Sequence, residues 1–485
     1  MSPSTSTKAC SPVPTFQSIG VRPVINGMGT FTILSGSRAL PQVVDAMREA
    51  TNAYVEMGEL MDCVGARLAE LTGAPWGYVS SGCAAALAEI TAAAIAGADP
   101  EKMARLPDTT GMRNEVVIQR CHRNTYDRAI LGVGARIIEV ETVADLRAAM
   151  SERTALVEMT SDDGRGQRIP NKQMIAVARE YGIPSLVDAA AERPDVPNRY
   201  LEMGADAVAY SGGKCLRGPQ ASGLVLGRKD LLKAAFINGA PYHSVGRPMK
   251  AGKEEIMGLL AAVEAWVSGR DHEAEWRMWE GWLDCIDAAV RAIPSVSTSI
   301  RQPGLSNVAP NLVITWDAAT LGHTSAQIFS ALWEGEPCIR LHATDRGVTV
   351  NPYMMEDGDA EIIAKRLSAL LSAPAAAQPK APDAPAADVS GAWEVCTRYV
   401  LGESRHGVTL EQDGAALSGV CRSPFEASPV TGCVAGNQVE FRTRLGHHAT
   451  RNEYVFYGTV DGDAMSGTVT LGEFGRAEWS AQRVQ

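Results

Sequence analysis

The stretch Ala207-Val-Ala-Tyr-Ser-Gly-Gly-Lys-Cys-Leu-Arg-Gly-Pro-Gln-Ala-Ser-Gly-Leu-Val-Leu-Gly227 reads as two short apolar strands, Ala207–Tyr210 and Gly223–Leu226, around a Ser/Gly/Pro loop that carries Lys214. Strands this apolar on both faces belong to a sheet covered by helices on each side. Moving outward, the same texture recurs at Val116–Gln119, Arg136–Val140, Ala155–Met159 and Ser185–Asp188. Helical patterns at Val143–Met150 and Lys172–Tyr181 alternate with these strands, and Leu60, Val64, Leu68 and Leu71 recur at helical spacing. The alternation predicts an α/β body built on a mainly parallel sheet.

The chain has 485 residues, 45 Lys plus Arg against 56 Asp plus Glu, and a formal charge of −11. That length predicts several domains with ample core, and 45% hydrophobic residues exclude a wholly disordered chain. The acidic balance argues against general nucleic-acid binding, which needs a cationic surface to displace counterions. The most apolar window, Cys83–Ala98, is mostly Ala and is interrupted by Glu89, so it is too short and too polar to span a bilayer. Ten cysteines are scattered without a CxxC pair or a zinc-spaced cluster, so we expect no metal, reduced thiols and a cytoplasmic setting.

Residues 1–15 read as a loose Ser/Thr/Pro tail, and 16–253 as the large α/β domain. Residues 254–371 follow as a helical connection with a small α+β domain, with strands near Asn311–Thr315 and Cys338–Ala343. A Pro/Ala linker at 372–389 cannot hold a regular helix. Beyond it, 390–485 shows short alternating runs with turns at Asp413-Gly414, Gly436-Asn437 and Asp461-Gly462. This is an antiparallel β domain, a small barrel or sandwich.

Three local signals carry chemistry. Lys214 follows a strand, where open α/β sheets place their ligands; a solvated turn lysine is the plain alternative. Asp188 ends the strand Ser185-Leu-Val-Asp188, where a carboxylate must meet a cation or donors, unless it only caps the next segment. Ser80-Ser-Gly-Cys-Ala-Ala-Ala86 joins a strand to an Ala-rich helix, and small side chains there let an anion reach the helix's first amides; helix packing accounts for it equally well. In this order, an anion turn, an aspartate and a lysine match the needs of pyridoxal 5′-phosphate: a phosphate cradle, a carboxylate for the ring nitrogen and an amine for the aldehyde. The pairs Gly27/Gly29 and Gly132/Gly134 lack the third glycine of a dinucleotide fingerprint, and Gly213-Lys214 lacks P-loop spacing.

INGMGTFTILSGS, SSGCAAA, PDTTGMRNEVVIQRCHRNTYDRAI, SLVDAAAE, YSGGKCLRGPQASGLVLG and GRPMKAGKE resemble the selenocysteine-synthase-like group of fold-type-I pyridoxal phosphate enzymes, over roughly Phe16 to Leu371. The resemblance implies a fold-type-I large domain with Lys214 as the Schiff-base lysine and Asp188 as partner of the ring nitrogen. It makes Ser81, Gly82, Cys83 and Ser211 cofactor-binding residues and turns His122 toward the ring. It also implies a homodimer or larger assembly, with Arg247 and Lys250 serving a neighbour's site. The CAAA turn departs from the Ser/Asn-rich versions of the selenium transferase, and no cationic N-terminal domain suits a tRNA, so a nucleic-acid partner is not expected.

Arg340 in CIRLHA has the fork geometry to bind a substrate carboxylate, and Arg165 and Arg168 in DDGRGQRIP lie where a substrate anion can sit. Ordinary salt bridges and solvated loop charges explain them as well. Thr30, Thr32 and Ser35, in the Gly-rich N-terminal segment, are placed to reach the site entrance, and turn-making explains them nearly as well. The expected activity is a lyase working by α,β-elimination on a small-molecule amine, an amino acid or amino sugar acid. Transamination and racemisation share the same first proton removal, and a degenerate scaffold whose β domain binds a partner is the non-enzymatic alternative.

Overall fold

The computed structural model describes residues 13–161, 166–306, 308–374, 384–385 and 387–484. Arg165, the first twelve residues and most of the 372–389 stretch lie outside the described residues. The chain divides into two compact units: residues up to 376 without Arg123–Asp127, and Arg123–Asp127 with residues from 377 onward.

The first unit holds a seven-stranded sheet in the order Trp76–Ser80, Gly223–Gly227, Ala207–Ser211, Ser185–Asp188, Thr154–Thr160, Glu115–Gln119, Arg136–Val140. Only Gly223–Gly227 runs antiparallel, against both of its neighbours; the pairs from Ala207–Ser211 outward to Arg136–Val140 are parallel. Most of these strands are buried along their whole length, as their two-sided apolarity requires. The parallel geometry brings the carboxyl ends of Trp76–Ser80, Glu115–Gln119, Thr154–Thr160, Ser185–Asp188 and Ala207–Ser211 to one edge.

A five-stranded sheet follows the order Val24–Gly27, Cys338–Thr344, Gly347–Val350, Asn311–Trp316, Val296–Arg301. Val24–Gly27 pairs in parallel with Cys338–Thr344 and so joins the smaller sheet, a pairing across more than 300 residues that four residues of sequence do not signal. The helical connection that follows the large domain is interrupted. Lys253–Glu264 passes into a π-helical turn, Ala265–Gly269, before His272–Val290 begins. At the break, Arg270 donates to the Cys215 carbonyl (2.8 Å) and forks onto Glu275 at 2.9 and 2.8 Å, tying this region to the loop that carries Lys214.

In the second unit, eight antiparallel strands from Gly391–Arg398 to Arg476–Arg483 pair in sequence, and the first pairs with the last, closing a barrel. Alternate residues point inward, and Phe441 stacks on Phe456 at 4.6 Å with Trp479 edge-on to both. Closure leaves no open sheet edge, so of the two architectures left open by the sequence the barrel is the one formed.

The Ala-rich helix Cys83–Ala96 lies buried against the large sheet, and Glu89 within it is 3% exposed. The Tyr78 hydroxyl donates to its carboxylate at 3.1 Å, yet burial still pushes the Glu89 pKa up to about 8. Such a raised carboxylate is favoured in the folded state while protonated. Its stabilising contribution is present below the unfolded pKa of about 4.3 and is lost as pH rises through about 8. Glu89→Gln is expected to flatten the fall of unfolding free energy between pH 5 and 8, measured by urea denaturation; an unchanged slope refutes the assignment.

Candidate active site

The site is built on the edge where five strands end. After Trp76–Ser80 the chain turns through Ser81 and Gly82 and enters the helix Cys83–Ala96. Gly82 has φ +93°, a conformation that side chains rarely adopt, and a Cβ there would point into open space. Ala86 N–H bonds back to the Gly82 carbonyl at 3.2 Å. The amides of Cys83, Ala84 and Ala85 precede that first helical bond and are left to an outside acceptor. Gly223 on the neighbouring strand has no room for a side chain, since its Cβ would lie 2.6 Å from Gly82 C and 2.9 Å from Cys83 N. Ser80 Oγ braces the turn by donating to the Gly82 carbonyl at 2.9 Å.

Three strands along from Trp76–Ser80, Asp188 ends its strand half-buried. Its Oδ1 accepts from the Ala190 N–H at 3.0 Å and from the Cys83 thiol at 3.4 Å, so the anion turn and the carboxylate meet directly. Burial and then the Asp188 charge push the Cys83 thiol well up, while the Lys214 ammonium pulls the other way. Thr160 stands level with Asp188 on the adjacent strand and donates its N–H to His122 Nδ1 at 3.3 Å. His122 is buried, and the bond requires an unprotonated Nδ1.

The Lys214 loop is held by the close approaches its glycines allow. Gly212 N–H donates to the Ser222 carbonyl at 2.8 Å, and Gln220 Nε2 donates to the Gly213 carbonyl at 2.9 Å where a Cβ on Gly213 would strike that amide. Ser211 is half-buried at the strand's end, and its carbonyl accepts from Lys214 N–H at 3.3 Å. Lys214 lines a narrow cleft with Gly29, Thr30, Ala191, Asn351 and Tyr353. Thr30 thus stands beside Lys214. Gly29, Asn351 and Tyr353 escaped sequence reasoning; the only local signal was the Asn-Pro-Tyr turn, in which Asn351 Oδ1 accepts from Tyr353 N–H at 2.9 Å. Tyr353 donates its hydroxyl to the Cys215 carbonyl at 2.7 Å, which ties the turn to the lysine loop.

Other expected residues lie elsewhere. Arg168 pairs with Glu141 at 2.9 Å on the surface. Arg247 and Lys250 are exposed and do not line the Lys214 cleft. The Arg340 guanidinium sits over the rings of Phe329 and Trp333, at 4.3 and 4.7 Å from their centres.

The donor set fits pyridoxal phosphate. A helix start with open amides suits its phosphate, Asp188 suits a protonated ring nitrogen, and Lys214 supplies the amine. Because Cys83 is buried with its thiol pushed up, it is expected to resist iodoacetamide at pH 8 while exposed Cys63 and Cys433 are alkylated. Peptide mass spectrometry reads this, and labelling of Cys83 at the rate of Cys63 refutes the burial argument.

Comparison with known proteins agrees with this geometry. Residues 129–256 match the aminotransferase class-V family model. The chain is 33% identical over 374 residues to a 5′-C-glycyluridine monooxygenase-decarboxylase of Streptomyces sp, covering 73% of this chain and 92% of that protein. It is 31% identical over 366 residues to the D-glucosaminate-6-phosphate ammonia lyase of Salmonella typhimurium (strain 14028s / SGSC 2262), covering 73% of this chain and 96% of that one. A solved structure of D-glucosaminate-6-phosphate ammonia-lyase superposes with a TM-score of 0.65 at 30% identity, covering 74% of this chain and 98% of its own. Both relatives are matched almost whole, and with the lysine loop, the aspartate and the anion turn on one sheet edge, the chain belongs to the selenocysteine-synthase-like family of fold-type-I, pyridoxal-phosphate-dependent enzymes.

Proposed function

We propose that this chain is an ammonia-lyase-like enzyme acting on an amino acid or amino sugar acid, with Lys214, Asp188 and His122 as its catalytic residues. The observation that carries the reading is the meeting of Asp188 with Cys83 at the helix start, beside the parallel strand Ala207–Ser211 that leads into the Lys214 loop. When bound, pyridoxal phosphate supplies an aldehyde that takes up amines and an electron-withdrawing ring. The amides of Cys83 to Ala85 and the Ser81 hydroxyl bind its phosphate, with Ser211 beside the lysine. Asp188, oriented by Ala190 N–H and the Cys83 thiol, holds the proton on the ring nitrogen. His122, oriented by Thr160 N–H, would lie against the ring. With the cofactor bound, Lys214 Nζ would be the base that takes the proton from the carbon bearing the substrate's amine, and Thr30, which lines the same cleft, would meet the substrate at its wall.

Borohydride reduction of the cofactor-loaded protein is expected to fix a mass adduct on the peptide carrying Lys214. Lys214→Ala should lose that adduct and lower turnover by about 10²–10⁴-fold, measured as ammonia released with a keto acid from a panel of amino acids and amino sugar acids. An adduct elsewhere, or undiminished turnover, refutes the role. Inverted stereochemistry at unchanged mass moves the reading to a racemase, and amine transfer without free ammonia moves it to an aminotransferase. The name of the Streptomyces relative supports one further outcome, oxygen-dependent decarboxylation, which oxygen uptake detects.

A homodimer or larger assembly is part of the proposal. Phe16, Ile19, Ile33 and Tyr54 are exposed in this chain, Tyr54 completely, and they suit burial by a second copy; Arg247 and Lys250 then serve the neighbour's site. Sedimentation should give a dimer or larger species that Tyr54→Glu weakens, whereas a fully active monomer refutes it. The free cysteines support a reducing, cytoplasmic setting, and no helix among the described residues is long and apolar enough to cross a membrane.

A further inference from the structure

Beside the Lys214 cleft, and sharing Asn351 with it, lies a second cavity of about 500 Å³. Phe31, Arg301, Gln302, His342, Thr344 and Thr349 are among its walls, and among the described residues no Asp or Glu lines it. In a chain of net charge −11, a carboxylate-free hollow of this size with an arginine at its mouth is set apart from the surrounding surface. Arg301 ends the strand Val296–Arg301 and is exposed, and its side chain has no ion pair or hydrogen bond among the described residues. Its guanidinium keeps all five donors in a planar fork that matches a phosphate or carboxylate.

His342, also in the lining, has a definite polarity. Its Nε2 lies 2.9 Å from the Met28 carbonyl, and a carbonyl can only accept, so Nε2 carries the proton. Burial, and after it the Arg301 charge, lower the imidazole's pKa against the pull of the Met28 bond. The ring is neutral at physiological pH, with Nδ1 left as an acceptor for a hydroxyl. The same bond pins the Met28-Gly29-Thr30 turn, which Asn26 Oδ1 also holds through the N–H groups of Met28 and Gly29 at 3.0 and 3.1 Å. The cavity and the Lys214 cleft therefore share one wall.

We infer that this cavity binds the part of the substrate remote from its amine, a hydroxylated chain or sugar ending in an oxyanion, with Arg301 reading the oxyanion and Gln302, Thr344, Thr349 and His342 the hydroxyls. The inference rests on the reading that the amine is processed at Lys214. Binding a remote oxyanion here anchors the substrate without touching the reacting carbon, and such remote contacts are what position that carbon for proton removal.

The test uses the full-length, cofactor-loaded protein and reads binding from the change in its visible absorbance. One pair of probes, D-glucosaminate 6-phosphate and D-glucosaminate, reports a remote phosphate; a second pair, glutamate and glutamine, reports a remote carboxylate. Wild type is expected to prefer the anionic member of at least one pair. Arg301→Gln should remove that preference by weakening the anionic member ~10–100-fold, leave the neutral member nearly unchanged, and leave the borohydride adduct on Lys214 intact; Arg301→Lys should retain part of the preference. No preference in wild type for either pair, including no binding at all, overturns the inference, as does a preference that survives Arg301→Gln. If the adduct on Lys214 forms in those samples, the proposed function stands and only the subsite falls; if it is absent, the underlying reading has failed.

Discussion

Everything at the site depends on the parallel order of one sheet. A parallel strand must be followed by a crossover, and right-handed crossovers return the chain to the same end each time. Ser80, Gln119, Thr160, Asp188 and Ser211 therefore finish along a single edge although they span 131 positions of the chain. The antiparallel strand Gly223–Gly227 breaks the rule once, between the strand that feeds the anion turn and the strand that feeds Lys214. It contributes Gly223, whose lack of a side chain lets the turn at Gly82 settle against the sheet.

That edge is polar on an apolar base. Most of the strands beneath it are buried along their whole length, so each polar group that emerges must find a partner locally. Asp188 finds Ala190 N–H and the Cys83 thiol, His122 finds Thr160 N–H, and the Lys214 loop is tied through Cys215 to Tyr353 and Arg270. These bonds orient the reactive groups before any ligand arrives, which lowers the ordering cost of binding. Tyr353 and Arg270 come from the smaller sheet's connections and the helical break, so the lysine loop is fixed by elements far from it in sequence.

The closed β-barrel follows a different logic. Its strands alternate inward and outward residues, its hairpins are local, and its stacked Phe441, Phe456 and Trp479 fill the interior. It has its own hydrophobic core. The two relatives are matched almost whole by about three-quarters of this chain, which leaves the remainder as an addition to the shared enzyme body.

The large sheet was legible from sequence because two-sided apolar runs and helical periodicity are local properties: the strands at Arg136–Val140 and Ser185–Asp188 have the limits their patterns imply. Lys214, Asp188 and the Ser81–Cys83 turn stood out as candidates because each sits at a strand end beside small residues; the structure sets Cys83 against Asp188 at 3.4 Å, with the strand that leads to Lys214 alongside. Sequence alone did not reveal the pairing of Val24–Gly27 with Cys338–Thr344, the break at Arg270, or the place of Gly29, Asn351 and Tyr353 in the wall around Lys214. Nor did it separate Thr30, which lines that wall, from Arg168 and Arg340, which are engaged elsewhere. Local pattern records which face of a segment is buried; which distant segment buries it, and which charges are left facing a cavity, is decided only when the chain closes on itself.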